Sequence, residues 1–312
     1  MDVTRRATAP VPSRSVVALV LAAASWGFGT VVSKHAVAEI PPLTLLPIQL
    51  AASLLLLVVL MRWRRLPLAD PSASPLLGRL GLLNPGLAYA LSLLGLAHIS
   101  ASLSVLLWAL EPILILVLAA WFLSERVGPF VLVLSAVAVG GMLLVAYQPD
   151  TAGSALGVGL TVAGVLCCAI YTIVTRRWIA TSDSTAPVVV AQQAHALAVA
   201  LVVVVVLWLA GGAVRAEGVS ALGWASAVGS GVLYYGLAYW FYLSALRNVP
   251  ASFAAASFYL VPVFGVAASF LLLNERLDPG QWLGIGIVSL AVIGILRRTD
   301  SRAPVARPAL SS

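Results

Sequence analysis

The chain has 312 residues, of which 61% are hydrophobic and 9% charged, and its mean hydropathy is +1.04. An ordinary soluble domain is about a quarter charged, so a water-facing surface of this size is excluded and lipid is the expected solvent. The net charge of +7 sits in short loops and tails, where membrane topology rather than a nucleic-acid partner places it.

A hydrocarbon core is crossed by about 20 apolar residues in a helix. Ten segments approach that measure: Ser15–Val37, Leu43–Met61, Leu77–Ala97, Ala101–Leu123, Pro129–Tyr147, Ala155–Thr175, Ala186–Leu209, Leu222–Leu246, Ala251–Leu273 and Gln281–Leu296. Turn formers stand between several of them, at Pro41-Pro42, Asp70-Pro71, Pro149-Asp150 and Gly211-Gly212. A barrel would instead alternate with period two. The first segment lacks a clear small-residue cleavage site and reads as a retained span. Asn84-Pro85 marks the third. Cys167 and Cys168 are adjacent inside the sixth, a placement that suggests neither a disulfide framework nor a zinc site. With the N-terminus inside, 15 of the 18 Lys and Arg residues fall on the cytoplasmic side, and Lys34, Arg215 and Arg276 fall outside. Both termini are therefore expected in the cytoplasm.

The chain repeats itself. Pro112 recurs at Pro262, Glu125-Arg126 at Glu275-Arg276, and Gly86-Leu87-Ala88-Tyr89 at Gly236-Leu237-Ala238-Tyr239, each 150 positions later. The expected organisation is a tail over 1–14, one five-span repeat over 15–148, a second over 149–297 and a tail over 298–312. Five spans are an odd number, so the second copy enters the membrane the other way up. The fold class expected is all-α integral membrane, with ten transmembrane helices in two inverted five-helix repeats. Secondary transporters use this construction, because two similar halves can open a central site to each side in turn. Duplication kept for packing alone is the alternative.

Glu111 is the one acid near the middle of a span. An ionised group there costs roughly 2.5–3.5 kcal/mol on insertion scales, so it should face protein or a water-filled cavity. It reads as a proton-coupling or cation-binding carboxylate, or else as a neutral acid bonded to a nearby carbonyl. The second copy has Val261 at this position. Pro112 and Pro262 each free a mid-helix carbonyl, which suits a bend lining a substrate path or a static kink. Gln49, Gln192 and His195 can hydrogen-bond a polar solute or bind helices together. Of these, His195 can change charge near neutral pH, and Gln192 and His195 share a helical face. Trp26, Trp108, Tyr239 and Tyr259 lie deep enough to wall a small-solute pocket or to pack a core. Arg126 and Arg276 follow Glu125 and Glu275 at span ends and suit anchoring or gating of short turns.

Ser25-Trp26-Gly27 followed by Lys34, Pro112 followed by Glu125-Arg126, and Pro262 followed by Glu275-Arg276 together resemble the EamA-type members of the drug/metabolite transporter superfamily over about residues 15–297. Thr172, Thr175 and Arg176 echo Thr30, Ser33 and Lys34 in the second copy. The resemblance implies ten helices in two inverted halves around a central cavity, and movement of small metabolites, often amino acids outward. Leu110-Glu111-Pro112 resembles members that export amino acids. Many members carry an arginine about where Gln49 stands here.

The reading is a secondary transporter of the inner cell membrane that exports an amino acid or related metabolite by alternating access. Its expected partners are a small-molecule substrate, the lipid bilayer and a coupling proton, with a monomer sufficing. Uptake or proton-independent facilitation is one alternative, and a non-transporting membrane scaffold or accessory subunit is another. No His-Glu-x-x-His, Gly-x-Ser-x-Gly or phosphate-cradling loop ending in Lys-Ser/Thr occurs. Neither enzyme chemistry nor a cofactor or metal is expected.

Overall fold

The structure is a computed structural model that describes residues 12–96, 98, 107–108, 110–125, 127–146, 154–180, 182–211, 218–273 and 279–299. Its described elements are helical. In chain order they are α1 (Ser13–Val37), α2 (Pro42–Trp63), α3 (Pro75–Gly81), a π-helical turn over Leu82–Leu87, and α4 (Ala88–Leu96). Then come α5 (Leu110–Phe122), α6 (Pro129–Ala146), α7 (Ala155–Ile179) and α8 (Thr185–Leu209). The chain continues with α9 (Ala221–Ser230), a second π-helical turn over Gly231–Leu237, and α10 (Ala238–Leu246). It ends with α11 (Ala251–Ala255), a 3-10 turn over Ala256–Tyr259, α12 (Leu260–Leu273) and α13 (Pro279–Thr299).

Local chemistry sets the helix starts. Proline opens α2 at Pro42 and α3 at Pro75, where its missing N–H has no intrahelical partner to lose. Serine side chains cap α3, α7 and α9: Ser74, Ser154 and Ser220 accept from the backbone N–H of Leu76, Gly157 and Gly223. Four helices, α1, α2, α7 and α8, are long and apolar enough to cross a membrane by length and composition. The third and eighth sequence segments, expected as plain spans, are each broken by a π-helical turn. In the third, Asn84 is extended at φ −146° and ψ 122° before a cis peptide to Pro85, whose nitrogen has no hydrogen to give the helix ladder. The ninth is broken by the 3-10 turn, with Pro262 just inside α12.

The exterior is as apolar as the composition demands. Trp121 is 79% exposed and Leu290 72%, whereas Glu111, Gln49, Gln192, Gln193 and several Ser and Thr residues are buried. That is the distribution of a multi-pass membrane protein, in which lipid covers the outside and polar groups face one another.

The packing has a regularity. Helix α1 packs on α9, α10 and α12, while α7, five segments later, packs on α4 and α5. Helix α2 packs on the second π turn, and α8 packs on the first. The pairs α2 with α8 and α6 with α13 join equivalent elements of the two halves. Exchanging the halves leaves these pairings unchanged.

Candidate functional site

The π turns place two glycines against two glutamines. A Cβ on Gly81 would stand 2.0 Å from the Gln192 carbonyl oxygen, and one on Gly231 would stand 2.4 Å from that of Gln49. Gly81 and Gly231 are 150 positions apart. The missing side chains let each π turn lie directly on the facing helix backbone. Both glutamine side chains are then committed to protein. Gln49 Nε2 donates to Ser33 Oγ and Ser230 Oγ, each at 2.8 Å. Gln192 Nε2 donates to the Leu77 carbonyl at 2.8 Å, and its Oε1 accepts from Tyr171 OH at 2.8 Å.

A connected group of aromatic rings occupies the space inside this frame. Trp108 stacks on Tyr89 at 5.8 Å between centroids, and Tyr89 meets Tyr234 and Tyr235 edge-on at 5.5 Å. Tyr235 stacks on Tyr239 at 6.4 Å, and Tyr239 meets Trp26 at 5.7 Å and Tyr171 at 6.4 Å. Trp26 also touches Tyr242 at 5.4 Å and Phe258 at 5.3 Å. Two hydroxyl bonds inside the group answer to each other in the 150-residue register. Tyr89 OH donates to Tyr234 OH at 3.0 Å, and Tyr239 OH donates to Asn84 Oδ1 at 2.8 Å. Tyr239 stands 150 positions after Tyr89, and Tyr234 stands 150 after Asn84. Trp108 and Phe258 are likewise 150 apart.

Glu111 and Trp26 carry polar groups with no hydrogen-bond partner among the described residues. Glu111 is 7% exposed, and among the described residues none hydrogen-bonds its carboxyl. It is carried by α5, which packs on α7, the helix of Cys168 and Tyr171. The indole Nε1 of Trp26 is buried and finds no acceptor among the described residues. An N–H donor walled by rings can hold the polar end of a small solute with an apolar body.

The predicted residues divide as follows. Trp26, Trp108 and Tyr239 come to the centre, and Glu111 and Pro112 are buried side by side on α5, which packs on α7. Gln49 and Gln192 bind helices together. His195 is exposed, with Nδ1 2.7 Å from the Ala191 carbonyl oxygen; the helical face it shares with Gln192 ends at the rim of the core. Tyr259 is buried in a separate cluster with Ala138, Val288 and Val292, between α6 and α13. Glu125 lies at the end of α5 and bonds to the start of α11. Arg126, Glu275 and Arg276 lie outside the described residues, as do the side chains of Lys34 and Pro262. The candidate site residues did not include Asn84, Tyr171 or Gln193. Gln193 is fully buried and donates to the Tyr235 carbonyl at 3.0 Å. The register could have found Asn84, as the counterpart of Tyr234.

Beyond the centre, Asp70 in the loop after α2 accepts hydrogen bonds from Ser182 and Ser72, which hold its carboxyl well below the usual carboxylate range. Glu39, after α1, is lowered by bonds from the Ser220 backbone and hydroxyl.

The sequence pattern of the EamA-like transporter family matches the chain twice, over residues 13–147 and 155–297. A protein of Archaeoglobus fulgidus named as an uncharacterized transporter is 24% identical over 285 residues, covering 90% of this chain and 98% of that protein. A solved crystal structure superposes with a TM-score of 0.76 at 15% identity, covering 92% of this chain and 99% of the other, and so shares the fold. With both halves matched, the chain belongs to the EamA-like transporter family, within the drug/metabolite transporter superfamily.

Proposed function

We propose that this transporter is a ten-span secondary carrier of the inner cell membrane. It exports an amino acid or related small metabolite by alternating access, with both termini in the cytoplasm. The observation that carries the reading is an exchange-symmetric packing of two halves around one aromatic centre, with Glu111 buried on α5. The contacts of α1 match those of α7, and the Tyr89–Tyr234 and Tyr239–Asn84 bonds match each other. Such a pairing gives the two halves two equivalent ways to rock, which alternating access needs. Glu111 breaks the symmetry, since Val261 stands in its place in the second half. One carboxyl with no hydrogen-bond partner among the described residues suits a group that takes up and gives back a proton as solute passes. Trp26 Nε1–H supplies a donor that a solute oxygen would satisfy, and the rings supply the apolar wall.

A metabolite panel scored by thermal stabilisation of the purified protein tests this reading. A ligand that binds only the folded state raises its stability by about 2.7 kcal/mol at a hundred times its Kd. At least one amino acid or related metabolite is expected to raise the melting temperature of the wild type and not that of Trp26→Phe, which keeps an aromatic ring but lacks the donor. Stabilisation equal in both would remove Trp26 from the site. A panel of such metabolites that shifts neither protein would count against the substrate class.

A further inference from the structure

A second polar assembly lies away from the aromatic centre, and it joins four loops at one end of the molecule. Asp70, between α2 and α3, accepts from Ser182 Oγ at 2.6 Å and from the Ser184 backbone N–H at 3.1 Å. Ser72 Oγ accepts from the Asp183 N–H at 3.1 Å. Arg247, after α10, donates to the carbonyls of Ser182 at 2.6 Å and Asp183 at 3.3 Å. It thereby ties the loop before α8 to the loop before α11. Across that second loop, Glu125 accepts from Ala251 N–H at 2.9 Å, Ser252 N–H at 3.0 Å and Ser252 Oγ at 2.5 Å. Arg176, at the end of α7, is near enough to Glu125 to feel its charge. Asp70, Ser72 and Glu125 belong to the first half, and every partner named here belongs to the second. The bonds between the halves fall in two groups, one around Asp70 and one around Glu125, and the short segment from Arg247 to Ala251 links them into a strap.

The chemistry suits repeated opening. Ser184 precedes α8 and Ala251 begins α11, so the carboxylates meet free N–H groups at helix starts, where negative charge is favoured. On separation water can take over those N–H groups, because the loops lie at the membrane surface and not within hydrocarbon. The geometry points to a latch: the Asp70–Ser182–Arg247 and Glu125–Ser252 bonds hold these ends of the two halves shut, and they break for the aromatic centre to open to that side. The latch rests on the transport reading above, whose topology puts this end in the cytoplasm.

A cysteine already in the chain reports on it. Cys168 is 2% exposed in α7, three residues before Tyr171, whose ring meets Tyr239 of the centre. In a Cys167→Ala background, a membrane-impermeant maleimide is added separately to inverted and to right-side-out vesicles. Labelling of Cys168 is compared among the parent, Asp70→Asn, Glu125→Gln and Glu125→Gln/Ser252→Ala. Each substitution nearly preserves side-chain volume, and a variant that fails to fold leaves the others to decide. Labelling from the cytoplasmic face is expected to rise roughly tenfold or more in the latch variants, since losing charge-assisted bonds shifts a two-state balance by that order. Labelling from the outer face is expected to stay flat or fall. An unchanged rate, a rise from the outer face alone, or an equal rise from both faces would overturn the latch. The readout needs no substrate. A transporter with flux but no labelling change would keep its function and lose the latch. A labelling change without any solute flux would instead leave the latch standing and count against transport.

Discussion

Glu111 is where the chemistry of a single side chain bears most on the whole. Replacing it with glutamine keeps its size and removes the ionisable group, so Glu111→Gln is expected to insert and fold nearly as the wild type does. Flux driven by an imposed pH gradient in proteoliposomes is expected to fall at least about tenfold, while solute-for-solute exchange survives, as fits a coupling group rather than a binding group. Wild-type, pH-dependent flux from the variant would make Glu111 a packing residue. At this scale the sequence was informative about the acid and less so about the amides. Cost alone singles out a carboxyl in mid-span. A glutamine, by contrast, is equally at home as ligand or as glue, and only the geometry assigns Gln49 to Ser33 and Ser230. His195 turned on helical phase: three residues from Gln192 is near enough to share a face and far enough to leave the core.

Among the described helices, two π-helical breaks shape the third and eighth segments, and hydropathy does not register them. Asn84-Pro85 hinted at the first, but the matching π turn over Gly231–Leu237 contains no proline. Its position follows from Gly231, where the backbone of the eighth segment meets that of Gln49. Alanine at either Gly81 or Gly231 must displace backbone, because the obstructing atom is a carbonyl oxygen. Each is expected to destabilise the protein by about 1–3 kcal/mol or more, the range for overpacking a tight core. Gly159→Ala, in α7 with nothing within 4 Å of the added carbon, is the comparison. It is expected to leave stability unchanged or slightly raised. Melting in detergent checks both, and a Gly81→Ala protein as stable as Gly159→Ala would show that the close approach is not needed. Four of the expected spans coincide with described helices long and apolar enough to cross a membrane, because a span is a property of composition over about 20 residues. The interruptions arise from contacts between segments remote in the chain.

For the molecule as a whole, the 150-residue register was the most informative line in the sequence, and the packing gives it physical content. Tyr89 and Tyr239, which match in the register, make matching hydrogen bonds to Tyr234 and Asn84. The strap of Asp70, Ser182, Arg247, Glu125 and Ser252 was not legible, because short polar loops carry no periodicity and their bonds depend on how the halves meet. The account's central claim is that this arrangement carries a solute by alternating access, and counterflow tests it most directly. Proteoliposomes are loaded with an excess of a stabilising metabolite and diluted into a trace of the same compound in labelled form. A carrier is expected to draw label inward to a transient overshoot above its equilibrium level, since each outward step returns an inward-ready site. Label that rises steadily to equilibrium without an overshoot, or that enters no faster than in protein-free liposomes, would contradict the account.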